Sequence, residues 1–225
     1  MTPTILFQDS LLLAVNKPAG MPAQPDPTAD LSALNWAADR CGQALHPVHR
    51  LDRPASGVLL LAKTAAAMTA LQQQFQAHSI EKDYLAVVSA PPEPPEATLV
   101  HFLQKNTAKN RVFANPDARK GSQRAELSYR LLGSSDRYHL LHVRLLTGRQ
   151  HQIRAQLAAI GCPIRGDVKY GARRGNPDRS IALHAWRLAF EHPGTGAWLQ
   201  LEAPLPDTDA VWQAFAEMLA GGKLL

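Results

Sequence analysis

The segment HRLDRPASG, residues 49–57, sets one carboxylate, Asp52, between Arg50 and Arg53, with Pro54 behind it and a Ser-Gly pair after that. Cationic neighbours keep a carboxylate ionised, and a guanidinium orients it by paired hydrogen bonds. An acid held in that state suits a nucleophile or a base and suits a general acid badly. The same residue also fits a structural role, since Asp before Pro is a common way to pin a turn. Arg154 is the second group of interest. Within RQHQIRAQLAAIG, residues 149–161, its neighbours three and four positions away are Gln150, His151, Leu157 and Ala158. None is acidic, so no partner along a helix can match its charge. If Arg154 is buried, an acid must reach it from elsewhere in the chain, and Asp52 is an obvious candidate; if it is exposed, water suffices. Tyr84, in EKDYLAVV, offers an aromatic face of the kind on which unstacked nucleobases rest, besides the ordinary role of a half-buried strand tyrosine.

Other chemistries have less to stand on. The nine histidines include His139 and His142, three apart on an expected strand and so on opposite faces, with no HExxH and no cysteine cluster to build a zinc site. Ser56 lies in PASGV, not in a GxSxG elbow, and reads as a turn hydroxyl. Neither GxGxxG nor GxxxxGK[ST] occurs, so no nucleotide-binding loop is supported.

The elements that must position these groups follow from pattern. TILF and LLLAV read as two strands around Gln8-Asp9-Ser10, and NKPAGMPAQPDPTAD as a loop. LSALNWAADRC is an amphipathic helix with Asp30 or Ser32 near its start, GVLLLAK a buried strand, and Thr64 caps a helix through TAAAMTALQQQFQAH. KDYLAVVSA and ATLVHFL are strands, and the basic segment from Lys105 to Arg124 a hairpin or arm. AELSYRLLG and RYHLLHVRLL alternate as antiparallel strands across Gly133-Ser134-Ser135. RQHQIRAQLAAIG is a helix with Ile153, Leu157 and Ile160 on its apolar face, ended by Gly161 and Pro163. LHAWRLAF and AWLQLEA are strands joined through HPGTG, and VWQAFAEML is a last helix. Helices interrupting largely antiparallel strands make a mixed domain.

The chain has 225 residues, 45% hydrophobic, with a net charge of +5. Its cations are clustered. Lys105–Arg124 holds six Lys/Arg and one acid, and Tyr138–Arg174 holds seven and one acid, Asp167, whereas Leu188–Gly222 holds five acids and no Lys or Arg. A cationic stripe suits phosphate backbones. The two cysteines, Cys41 and Cys162, form no CxxC pair and suggest a reducing compartment. The first residues lack a cationic start and a long apolar run, and no stretch approaches the eighteen or so apolar residues of a membrane span. A cytoplasmic protein, monomeric by default, is expected.

HRLDRPASG resembles the signature of the RluA-type pseudouridine synthases. VNKPAGM at 15–21, EKDYLAVV at 81–88, LLTGRQHQIRAQLAAIGCPIRGDVKYG at 145–171 and LHAWRLAFEHPGTG at 183–196 are similar to further family motifs, in family order and across most of the chain. The resemblance implies an α+β fold: a single catalytic domain over 1–225, a curved, mixed, largely antiparallel sheet with flanking helices and a central RNA cleft, and no separate N-terminal RNA-binding domain. It implies isomerisation of uridine to pseudouridine in tRNA or rRNA with no cofactor. Asp52 falls on the family's catalytic aspartate, Arg154 on its salt-bridge partner, Tyr84 on the tyrosine against the target base, and Arg50 on an arginine that takes the place of a flipped nucleotide. Together with Arg50, RNA contacts are expected from Lys17, Arg53, Arg149, His151 and Gln152 within the motifs, and from Lys105, Arg111, Arg173 and Arg174 in the basic segments. Ala55 stands where the family usually has Thr. A non-catalytic RNA-binding or RNA-folding module on the same scaffold is the alternative; it does not require Asp52, Tyr84 and Arg154 together.

Overall fold

The computed structural model describes residues 2–108, 110–207 and 209–221; Lys109, one of the cations of the basic segment, lies outside them. In chain order the elements are β1 (Thr4–Gln8), β2 (Leu12–Lys17), α1 (Ala33–Cys41), β3 (His46–Pro47), β4 (Ser56–Ala62), α2 (Ala65–Gln76), β5 (Glu81–Val88), β6 (Glu96–Asn106), β7 (Arg111–Asn115), β8 (Gln123–Ser134), β9 (His139–Leu145), α3 (Gln152–Ala159), a 3-10 turn at Val168–Tyr170, β10 (Leu183–Glu191), β11 (Trp198–Glu202) and α4 (Ala210–Ala220). They gather in two compact units, Met1–Lys82 with His184–Pro204, and Asp83–Leu183 with Leu205–Leu225.

In the first unit β2 pairs antiparallel with both β1 and β4, β10 runs parallel to β4, and β11 returns antiparallel along β10. Asp9 sets the β1–β2 turn by accepting from the Leu11 and Leu12 amides at 2.8 and 2.7 Å. β2 and β4 are apolar runs buried on both faces, as central strands must be. Leu12, Ala14, Val58, Leu60 and Phe190 pack there with Leu71 of α2. Ser32, not Asp30, caps α1, its hydroxyl accepting from the Asn35 amide; Thr64 caps α2 in the same way. At Gly57, φ is 115°, and a Cβ would lie 2.2 Å from the Ala185 carbonyl oxygen, so only glycine lets β10 start beside β4.

In the second unit the strand order is β5-β9-β8-β6-β7, every pairing antiparallel. The basic segment is a hairpin of β6 and β7 followed by a loop into β8. The β8–β9 turn lies at 135–138, later than expected, because an irregularity after Leu131 lets Gly133 and Ser134 still pair, with Leu140 and His139. α3 differs from the one-sided helix read from its periodicity: Gln152–Leu157 are all buried. Leu103, Val112, Ala125, Ala155 and Tyr170 form one core cluster beneath it. The mixed, largely antiparallel α+β reading holds. No helix among the described residues is long and apolar enough to cross a membrane.

Candidate active site

Asp52 lies half-buried in the turn between β3 and β4. Its carbonyl accepts from the Ala55 amide at 3.0 Å, closing the turn. Lys17, at the end of β2, is fully buried beneath it. The Lys17 ammonium donates to the carbonyls of Ala55 at 2.6 Å, Pro18 at 2.9 Å, Met21 at 2.9 Å and Arg53 at 3.3 Å. Those carbonyls belong to the loop after β2 and to the turn that carries Asp52, so one buried cation staples both. Burial pushes the Lys17 pKa down to about 7, while the charge of Asp52 draws it up and that of Arg53 adds to the fall.

Arg53 closes the same loop from outside. Its Nε donates to the Gly20 carbonyl at 2.9 Å and its Nη1 to Thr28 Oγ1 at 2.9 Å, and it pairs with Asp26 and Asp30. The Gly20 amide returns a bond to the Arg53 carbonyl at 2.8 Å. Behind the turn His49 Nε2 accepts from the Leu60 amide at 2.9 Å, and its ring stacks on Phe75 at 5.2 Å. Burial and, less, the charge of Lys82 push His49 down to about 4, so it is neutral at pH 7. Ser56 Oγ meets His184 Nδ1 at 2.8 Å; burial puts that imidazole near 4 as well, against an upward pull from backbone groups of Ala203 and Pro204. Ser56 thus opens β4 and meets a side chain, where a turn hydroxyl bonded to backbone was expected.

Arg154, in the second unit, is 5% exposed. An acid from outside its helix does answer it: Asp167, thirteen positions on and 1% exposed, accepts from Nε at 2.6 Å and Nη2 at 2.9 Å. The Tyr170 ring lies 4.8 Å from the guanidinium carbon. Tyr170 is itself fixed, its hydroxyl accepting from the Val112 amide at 2.9 Å and meeting His151 Nδ1 at 2.9 Å. Gly166 presents Asp167: φ is 85°, and a Cβ would lie 2.7 Å from the Ser180 carbonyl oxygen. Sequence reading missed this partner because the rest of α3 and an irregular stretch over 160–166 separate the pair. The available signal was that Asp167 is the only acid from Tyr138 to Arg174.

Tyr84 is half-buried on β5, opposite Val143 of β9. Its neighbour Asp83 points to the other face, where His142 Nε2 and Arg144 Nε reach it at 2.9 and 2.8 Å. These partners hold the Asp83 pKa at about 2 against the upward push of burial.

Three of the residues expected to contact RNA have their polar atoms engaged within the chain. Lys17 has its ammonium enclosed by carbonyls and offers nothing to a phosphate. Arg53 has its fork engaged by Gly20, Thr28, Asp26 and Asp30. Gln152 is 2% exposed, its Oε1 accepting from Thr147 Oγ1 and the Arg149 amide and its Nε2 donating to the Glu126 carbonyl. All three shape the loops that carry neighbouring residues. His151 is half-buried and in the left-handed region, with φ 52°, where it starts α3 and holds Tyr170. Arg50, Lys105, Arg149, Arg173 and Arg174 are exposed, and Arg111 is half-buried.

The profile of the RNA pseudouridylate synthase family matches residues 11–159. At 36% identity the chain is similar to tRNA pseudouridine synthase C of Pectobacterium carotovorum subsp. carotovorum, over 93% of this chain and 60% of that protein. It is equally similar to tRNA pseudouridine synthase C of Salmonella typhimurium, over 91% of this chain and 86% of that protein. At 35% it is similar to ribosomal large subunit pseudouridine synthase D of Nitrosomonas europaea, over 90% and 62%. The chain thus spans about three fifths of the first and third of these relatives. Human RNA Pseudouridylate Synthase Domain Containing 4 shares the fold with a TM-score of 0.74 at 25% identity, covering 98% of this chain and 93% of that one.

Proposed function

Because the chain belongs to the RNA pseudouridylate synthase family, whose members isomerise uridine to pseudouridine within RNA, we propose that it acts on tRNA and that Asp52 is its catalytic carboxylate. The observation that carries the assignment is the clasp around residue 52: Lys17 and Arg53 fix the backbone of its turn from two sides while its side chain stays half-buried. Preorganisation of that kind serves a reacting group more than it serves a turn. The tRNA reading is supported by the two relatives at 36% identity that carry tRNA in their names, one of them matched over 86% of its length.

The reaction breaks the bond from ribose C1′ to uracil N1, turns the base, and joins C1′ to C5; the C5 proton is lost and N1 gains one. Atoms and electrons are the same before and after, so no oxidant or energy source enters. An ionised Asp52 assists the departure of uracil. Tyr84 supports the base while it turns, and Arg154, fixed by Asp167, is the guanidinium that its motif assigns to the carboxylate. The target must leave its stack, at a cost of a few kcal/mol. Arg50 filling the vacancy, and phosphates held by Arg149, Lys105, Arg111, Arg173 and Arg174, offset that cost. We read residues 1–225 as one catalytic domain, since the family match runs through parts of both units, and place it in the cytoplasm as a monomer.

The test is tritium release from C5-labelled uridine in bulk tRNA and, separately, unmodified ribosomal RNA, with wild type beside Asp52→Asn. Release from tRNA by wild type alone is expected. Release only from ribosomal RNA would move the substrate to that class, and equal release by both proteins would remove Asp52 from its role. Neutralising Arg111, Arg119, Arg173 and Arg174 together should weaken RNA binding; unchanged binding would discard the basic segments as contacts.

A further inference from the structure

Phe113 is 41% exposed on β7, the outermost strand of its order. The strand alternates: Val112 is buried, and it packs with Ala114 towards the Leu103–Ala155 cluster, while Arg111 and Phe113 turn the other way, opposite Asn106 and Gln104. Following the register through β6, β8, β9 and β5 places Phe113 on the sheet face opposite that of Tyr84. The two rings cannot hold the same base.

Arg111 stands beside this ring in an unusual state. Its guanidinium carbon lies 5.2 Å from the Phe113 centroid and 5.3 Å from that of Tyr170. Its Nε is buried with no acceptor, and it enters no ion pair among the described residues. Arg53, Arg144, Arg154 and Arg165 are each matched by a carboxylate. Arg111 is instead held in place by two aromatic faces and keeps its charge unmatched, which is how an arginine is readied for a phosphate. More cationic chain adjoins: Gln104, across from Phe113, donates to the Lys120 carbonyl at 3.4 Å, bringing exposed Arg119 and Lys120 over the hairpin.

We propose that Phe113 and Arg111 form a second nucleotide site, in which an unpaired base of the RNA, other than the reacting uridine, stacks on Phe113 while its phosphate meets Arg111. Aromatic ring and unmatched guanidinium side by side are the two parts that single-stranded nucleic-acid sites combine. The site rests on the RNA-binding part of the proposed function but not on Asp52 or on catalysis.

The test is equilibrium binding of unmodified bulk tRNA and of ribosomal RNA, by filter retention, in an Asp52→Asn background so that no turnover intervenes. Phe113→Ala and Phe113→Leu should each weaken binding, roughly 5- to 150-fold as for loss of one stacked base, with melting temperatures unchanged. Phe113→Trp should keep the affinity. Arg111→Gln should lower the slope of log affinity against log salt by about one. Wild-type affinity in Phe113→Ala overturns the site. Affinity kept by Leu but lost in Ala replaces stacking with plain apolar packing and overturns it equally. Retention of neither RNA by the parent protein overturns the RNA occupant and leaves a protein partner for the hairpin.

Discussion

Lys17 and Arg154 are both buried cations, and they are held by opposite means. Lys17 is surrounded by four neutral carbonyls, and Arg154 is gripped by a carboxylate on one edge and an aromatic ring on its face. An ammonium has three donors and no preferred plane, so it draws several backbone segments towards one point. A guanidinium is a rigid fork, so a bidentate acid fixes the direction in which its remaining donors aim. The first arrangement shapes a loop and the second orients a side chain. The charge follows: burial takes Lys17 to about 7, where its proton is easily lost, whereas an arginine beside Asp167 stays charged at any pH the protein survives.

The comparison breaks most severely at Asp167. Asp167→Asn keeps an acceptor but removes the charge, leaving Arg154 buried without its matched acid. Loss of one member of a buried pair costs about 3–5 kcal/mol, so the urea midpoint should fall steeply. If Asp167 also orients Arg154 for the reaction, kcat per folded molecule should drop at least about tenfold, the equivalent of 1.4 kcal/mol in the transition state, with KM for RNA little changed. A fall in stability with undiminished kcat would make the grip purely structural.

Lys17→Met probes the other half, and pH separates the two contributions. The folded protein releases the Lys17 proton near 7, the unfolded chain near 10.5. Below 7 both states are protonated and burial of the charge is opposed in full. Above 7 the unfolded state binds more protons, so wild-type stability rises with pH until the unfolded pKa is passed. Between pH 7 and 9.5 that amounts to about 3 kcal/mol. Methionine carries no such slope and leaves the carbonyls without their donor, about 1–3 kcal/mol for each that stays dry. The deficit of Lys17→Met against wild type should therefore grow from pH 6.5 to 9.5 in urea unfolding. A constant deficit would mean that the ammonium never loses its proton.

Sequence legibility divides along the same line. β2 and β4 could be read because a buried strand is a local apolar run, and α1 and α2 because Ser32 and Thr64 are local caps. Asp52, Tyr84 and Arg154 stand in motifs. What could not be read was who answers a buried polar group. Lysine is a surface residue by default, and nothing in VNKPAG announces that Lys17 is enclosed. Gln152 looked like a polar contact for RNA and is instead a buried brace between Thr147, Arg149 and Glu126. Asp167 lies beyond Gly161 and Gly166, past the reach of any helical period. Phe113 lies in a basic segment read only as a hairpin or arm, so neither its strand nor its exposed face was legible.

The smallest effect should come from Arg53, and it decides which cation holds the Asp52 loop. Its ion pairs with Asp26 and Asp30 are solvent-exposed, at side-chain exposures of 39% for Arg53 and 54% for Asp30. Exposed pairs contribute about 0–1 kcal/mol, less in salt. Arg53→Gln should thus shift the urea midpoint only slightly, and added salt should shrink the shift further. If the buried staple is what fixes the turn, kcat for Arg53→Gln should stay close to wild type while that of Lys17→Met falls, because the carbonyls of residues 53 and 55 remain anchored to Lys17 in the first variant and not in the second. Equal losses of kcat in the two variants would show that the outer clasp, through its bond to the Gly20 carbonyl, does as much as the buried one.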